Sequence, residues 1–233
     1  MRRGDTGGWR GSVVASTGPF AFAGPPMKPS VLTLLLLTVG MAATATAAPG
    51  LKSDERRDQE AAVALVNRLG GEVYFDYQRP NPDRLDLFDP TARPADSAAF
   101  HRVVAVRLQG TKVSDDDLGA LGRLPALESL DLGDTAVTAA GLAHLTGLTN
   151  LRVLRVRKTR VDDAGLEHLK GMTKLSTLDL GWTRVTDAGL AHLHGLAGLR
   201  FLDLAGTGAS TGGVQALRAK SKAAMNVALT DPK

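Results

Sequence analysis

Three histidines recur at 24-residue intervals, His144, His168 and His192, and a column of imidazoles is an arrangement that could hold a metal ion. The spacing speaks against it. In a repeating chain such residues fall on neighbouring helices with axes about 8 to 10 Å apart, whereas zinc draws its ligands to about 2.1 Å from one centre. Duplication of a repeat explains the column, and no metal is expected there. The run Asp115-Asp116-Asp117 also offers carboxylates, but a calcium loop needs alternating ligands and a glycine at its sharp turn. Consecutive acidic residues suit the opening of a helix, where a carboxylate meets the positive end of the helix dipole.

Catalysis finds no footing. The chain has no Cys, which excludes disulfides, thiolate zinc sites and Cys nucleophiles. It also lacks a GxSxG elbow, an HExxH pair, a phosphate-cradling glycine loop followed by Lys-Ser or Lys-Thr, and a dinucleotide fingerprint. No catalytic residue and no cofactor are expected. The segment RVLRVRKTR carries more information, since it sets Arg155, Arg157, Lys158 and Arg160 beside Trp182 of the next block, with Phe201 further along. Trp and Arg are favoured anchors of protein interfaces. Arg155, Arg157, Lys158, Asp179, Trp182 and Phe201 therefore form a candidate protein-binding patch. In the alternative reading the indole folds over neighbouring loops and the cations only solubilise. An acidic protein or a polysaccharide would suit such a patch, while one basic strand is too small a footprint for nucleic acid.

What positions these residues is an internal repeat. Five blocks of 24 residues align without a gap, beginning at Val103, Leu127, Leu151, Leu175 and Leu199. Apolar residues at positions 1, 4 and 6 of a block predict a short strand with the last two on one face. Position 9 is always Thr, at 111, 135, 159, 183 and 207, where a hydroxyl leaving the strand can bond backbone of the adjoining coil and build a ladder. Position 11 (Val113, Val137, Val161, Val185, Ala209) points back inward, and position 12 (Ser114, Thr138, Asp162, Thr186, Ser210) predicts N-caps. Apolar residues at 16, 19 and 22, as in Leu142, Leu145 and Leu148, have helical spacing, and Gly147, Gly171 and Gly195 are placed to end those helices.

The pattern LxxLxLxxTxVTDAGLxxLxxL resembles a leucine-rich repeat, similar to the bacterial type of 24 residues and, more distantly, to the cysteine-containing repeats of F-box-associated proteins, with Thr in place of Cys. The resemblance covers Val103 to about Lys222 and implies an α/β fold: a short right-handed horseshoe solenoid with parallel strands on its concave face and helices on its convex face. It also implies a binding module for a protein partner. The pattern breaks at both ends, where Asp117 replaces the helix glycine in the first block and Lys220 the last apolar residue in the fifth.

An open stack needs covers at its ends. Asp54 to Leu69 reads as an amphipathic helix and Glu72 to Tyr77 as an alternating edge strand, with Val73 and Phe75 on one face. Together they predict an N-terminal helix-strand cap. Gln78 to His101 carries four prolines and reads as a loop or imperfect repeat, with Leu85, Leu87 and Phe88 against the cap, and Met225 to Leu229 reads as a closing strand. At position 5, Arg107, Asp131, Arg155, Asp179 and Asp203 form a column of mostly alternating sign. It is either a recognition stripe or a self-compensating ladder, the simpler reading, since paired charges are not free for a partner.

Residues 27–48 read as a signal peptide: Lys28, an apolar run from Val31 to Met41, then small residues around Ala47. That eleven-residue run falls short of the roughly 20 that a spanning helix needs, so no stable membrane insertion is expected once the leader is cleaved. Residues 1–26 lack periodicity and read as an upstream mis-start. The expected order is thus 1–26, the leader 27–48, the cap and Pro-rich loop 49–102, five repeats over 103–222, and a tail 223–233. The formal charge of +4 resides largely in the first 47 residues, without which 24 cations face 23 anions, so charge offers no case for nucleic acid. A secreted or periplasmic, monomeric, non-enzymatic binding module is the resulting expectation, with a structural envelope protein as its alternative.

Overall fold

The computed structural model describes residues 52–78, 101–221 and 225–229, all within the unit Thr44–Lys233. The leader, the residues before it, and Leu85, Leu87 and Phe88 lie outside the described residues. The chain begins with α1 (Ser53–Arg68) and β1 (Glu72–Phe75), and then repeats strand and short helix. The repeating elements are β2 (Val103–Arg107), α2 (Leu118–Leu121), β3 (Ser129–Asp131), α3 (Ala139–Ala143), β4 (Val153–Arg155), α4 (Asp163–Glu167), β5 (Thr177–Asp179), α5 (Asp187–Leu190), β6 (Phe201–Asp203) and α6 (Thr211–Lys220), closed by β7 (Asn226–Ala228). One seven-stranded sheet holds β1 to β7 in chain order. Only β1 runs antiparallel, against β2.

The register follows the repeat, so Val106, Leu130, Leu154, Leu178, Leu202 and Val227 are successive partners. Leu130, Leu154 and Leu178 are wholly buried, and Leu142, Leu145, Leu166, Leu169 and Leu193, from the short helices and the turns that follow them, belong to the same continuous core. Each such side chain contributes about 2 kcal/mol by leaving water. The position-11 residues point inward as expected. Each Thr at position 9 donates its hydroxyl to the carbonyl three residues back in its own coil, at 2.6 to 2.7 Å, closing the turn that leaves the strand. The threonine ladder is therefore a set of turns inside coils, a correction to the expected bond between coils.

A different group performs the joining. The carboxylate of Asp115 accepts from both the backbone N–H (2.9 Å) and the hydroxyl (2.6 Å) of Thr138 in the next coil. Asp163 clasps Thr186 in the same way, and Asp187 clasps Ser210. The same Thr138, Thr186 and Ser210 also cap their own helices, as predicted. Room for the clasp comes from glycine: a Cβ at Gly141, Gly189 or Gly213 would strike the Asp carboxylate of the coil before it. This explains why the first coil departs from the repeat. Among the described residues no carboxylate from before this coil meets Ser114; position 15 holds Asp117 instead, which accepts from the N–H (3.0 Å) and hydroxyl (2.7 Å) of its own Ser114.

The cap forms as expected in outline. Gln59 on α1 donates to the carbonyl of His101 (2.8 Å) and accepts from the N–H of Val103 (2.9 Å), tying helix to first repeat. The expected alternation in β1 does not hold, since Tyr74 is buried alongside Val73. Its hydroxyl donates to Glu72 (2.6 Å) and accepts from Arg107 (2.8 Å), and burial with the Glu72 bond raises its pKa to about 12. Gly147 and Gly171 do not end helices directly: α3 and α4 stop at Ala143 and Glu167, and turns intervene. At the far end Val227 and Leu229 are partly buried against the core, as a closing strand requires. Among the described residues no helix is long and apolar enough to cross a membrane.

Candidate protein-binding surface on the strand face

Position 5 of each coil faces outward from the sheet, and among the described residues no ion pair joins one charge of this column to the next. Asp131, Asp179 and Asp203 each accept, at 2.9 to 3.0 Å, from the backbone N–H two residues ahead, closing an Asx turn at the strand end. Arg107 turns to the cap, bonding Glu72 at 3.2 Å and lying over the Tyr74 ring at 4.9 Å. Arg155 stands in register between Asp131 and Asp179, yet no hydrogen bond or ion pair holds its side chain among the described residues. The ladder of paired charges is thus replaced by carboxylates committed to backbone and by an uncommitted guanidinium.

The loops that follow the strands share an unusual backbone. Position 8 is left-handed in all five coils: Gly110 (φ 69°), Asp134 (56°), Lys158 (52°), Trp182 (60°) and Gly206 (69°). Glycine adopts this conformation freely and Asp tolerates it, but Lys and Trp incur about 1 kcal/mol or more. Trp182 is 58% exposed there. Its ring lies flat on Gly206 of the next coil, where an added Cβ would come within 2.6 Å of the indole. The indole does fold over a neighbouring loop, and its other face stays open to solvent.

The rest of the patch divides by direction. The stem of Arg157 leans the opposite way, across Gly133 of the preceding coil, 3.2 Å from where a Cβ would stand. Lys158 reaches back to Asp134 at 3.4 Å, and Arg152 to Glu128 at 3.5 Å. Phe201 is 48% exposed but sits at the opening of its strand, away from the loop that carries Trp182. Asp179 is a correction: at 3% exposure it is not a contact residue. Burial pushes its carboxyl above the ordinary 3.8, the N–H of Gly181 pulls it back, Asp203 pushes it up again, and Arg157 and Arg155 pull it down. Its role is to close the turn beneath the patch.

The left-handed column escaped reading from sequence because Asp134, Lys158 and Trp182 disguise it; Gly110 and Gly206 at the same position were the available signal. His144 and His168 are the C-cap residues of α3 and α4, and His192 lies in the 3-10 turn Ala191–Gly195. A depression of about 470 Å³ lies elsewhere, between the cap and the opening of the strands, and is lined by Glu55, Asp76, Arg102 and Glu128 among others, with no patch residue in its wall.

Five coils of strand, turn and helix packed in register around leucines form a leucine-rich repeat solenoid. The profile of the family described as "Leucine Rich repeat" matches residues 171–193. Among solved structures, the chain is similar to internalin C2 of Listeria monocytogenes, at 28% identity over 48% of this chain and 46% of that one, TM-score 0.40. It is also similar to a leucine-rich repeat protein of Leptospira interrogans (20% identity, 46% and 27% covered, TM-score 0.39). A third similarity is to the ectodomain of the receptor kinase SOBIR1 of Arabidopsis thaliana (15% identity, 75% and 92% covered, TM-score 0.45). The matched region spans less than half the length of the internalin and of the Leptospira protein. The comparison with curated proteins returned no match.

Proposed function

We propose that the protein is an exported, non-enzymatic binding module that docks a protein partner on its strand face. The observation that carries this reading is Trp182: a large indole, 58% exposed, held on left-handed backbone where the first and last coils place glycine. Strain kept at an exposed aromatic supports a contact role, because neither folding nor solubility gains from it. Arg155 and Arg157, without a hydrogen-bonded or ion-paired acceptor among the described residues, lie on the preceding coil.

The test is a photo-crosslinker in the full chain at Phe201 on the strand face, compared with one at Glu167 on the helix face. The expected result is a discrete protein adduct from position 201 alone, competed away by unmodified protein and lost when Trp182 is changed to Ala. Equal adducts from both positions, or none from 201, would move the weight to a structural repeat protein without a ligand. Export is tested separately, by sequencing the N-terminus of protein recovered outside the cytoplasm; a mature start at residue 48 or 49 is expected.

A further inference from the structure

The third coil carries more cations than its surroundings can neutralise. Between Arg152 and Arg160 five cations stand without an acidic residue. Two of them reach back to acids of the second coil, Arg152 to Glu128 and Lys158 to Asp134. Arg155, Arg157 and Arg160 have no such partner among the described residues. The carboxylate next in register, Asp179, is buried and already accepts from Gly181. Each guanidinium keeps a planar fork of N–H donors, the shape that a carboxylate fits with two parallel bonds. On the far side of Gly181 the surface changes character, and the open face of Trp182 is apolar.

The floor between these groups is low. Position 7 is small in the fourth and fifth coils, Gly181 and Ala205, so between the Arg157 stem, which lies across Gly133, and the Trp182 ring no long side chain of that position intervenes. Neighbouring coils are about 4.8 Å apart in the pairing direction. Arg155 stands on the third coil, and the Trp182 ring rests on the fifth, about 10 Å away in the pairing direction. Arg157, leaning over the second coil, lies about 14 Å from that ring. An extended peptide advances about 3.4 Å per residue, so these gaps correspond to roughly three and four residues.

We propose that the surface recognises an extended acidic segment of a partner protein, crossing the strands with a carboxylate on Arg155 and Arg157 and an aliphatic or aromatic side chain on Trp182, three or four residues away. This deepens the protein-binding reading and rests on it. The cations and the indole then act as a pair of anchors at fixed spacing, and specificity resides in that spacing.

The full chain with Trp9→Phe leaves Trp182 as the sole indole, so its emission reports occupancy. The probe is an acetylated, amidated peptide with two Glu, three Gly/Ser residues and two Leu. A saturable blue shift of Trp182 emission is expected, weakened at least tenfold when Lys replaces Glu, when Ser replaces Leu, or when the spacer grows to eight residues. Arg155→Ala with Arg157→Ala should weaken the Glu peptide at least tenfold, reduce its salt dependence, and leave the circular dichroism and urea midpoint unchanged. Equal response to Glu and Lys peptides, no saturable response to the Glu peptide, or tighter binding of a single-stranded oligonucleotide would overturn the proposal. A position-201 adduct whose contacted segment is not acidic would overturn it too, while sparing the broader protein-binding reading.

Discussion

The second coil breaks the clasp between repeats, and repairing it is a quantitative test of that clasp. Position 13 is Asp in the first, third and fourth coils but Ala139 in the second, and the residue it would clasp is Asp162 in place of Ser or Thr. A carboxylate at 139 would face a carboxylate with no hydroxyl to donate. Each intact clasp has two bonds to a charged acceptor, in surroundings exposed enough to discount them to about 0.5 to 1 kcal/mol each. Ala139→Asp alone should therefore destabilise by about 1 kcal/mol through like-charge repulsion. Asp162→Thr alone should change little, because Thr also caps. Together they should stabilise by about 1 to 2 kcal/mol, a coupling of about 2 to 3 kcal/mol. Position 15 is already Gly165, as the clasp requires, and the nearest neighbours of its open side are Val161, Leu142 and the Ala139 backbone at 3.0 to 3.4 Å, with no carboxylate among them. Urea unfolding of the full chain, followed by circular dichroism with equal slopes for the four proteins, measures the cycle. A coupling below about 0.5 kcal/mol would refute the clasp as a source of stability.

Three further outcomes follow from the same geometry. Gly189→Ala, normally a gain of about 1 kcal/mol in a helix, should here cost about 1 to 3 kcal/mol because the new Cβ displaces the Asp163 carboxylate, whereas Gly195→Ala meets nothing within 4 Å and should be neutral or mildly stabilising; thermal midpoints compare them. Trp182→Gly should hold or raise stability, by up to about 1 kcal/mol, while abolishing the position-201 adduct, and a loss of more than 2 kcal/mol would show the ring to be structural. Asp179, held above 3.8 in the folded chain, imposes a cost that is complete above its folded pKa and relieved as pH falls toward 3.8. Asp117 and Asp187, held below 3.8 mainly by Ser114 and Ser210, give stability that is present above 3.8 and lost as pH falls through their folded values. Asp179→Asn, which keeps an acceptor for Gly181, should therefore remove a decline in stability as pH rises from 3.8 without touching the loss that Asp117 and Asp187 produce below 3.8, and urea midpoints against pH check both.

Much of this protein was legible before any coordinates. A strict 24-residue period with leucines at strand and helix positions leaves one economical way to bury them, coil upon coil, so the solenoid, the inward Val137 and Val161, the helix over α1 and the closing strand were all within reach. Local chemistry also predicted the caps at Thr138, Thr186 and Ser210, because N-capping depends on residues two or three apart. What depends on a neighbouring coil was hidden. Asp163, in sequence an acidic residue opening its helix, is found to bond Thr186 2.6 Å away in the next coil, and the glycines of position 15, in sequence only a recurring feature of the repeat, leave space that carboxylates fill. The charged column at position 5 looked self-compensating, whereas the Asx geometry draws each Asp to its own backbone and leaves Arg155 outward. Periodicity determines which residues share a column, since it is a property of the chain alone. Only tertiary structure decides what a column does, because backbone twist, left-handed turns and the lean of each side chain settle whether neighbours bond one another, bond the backbone, or remain open to a partner.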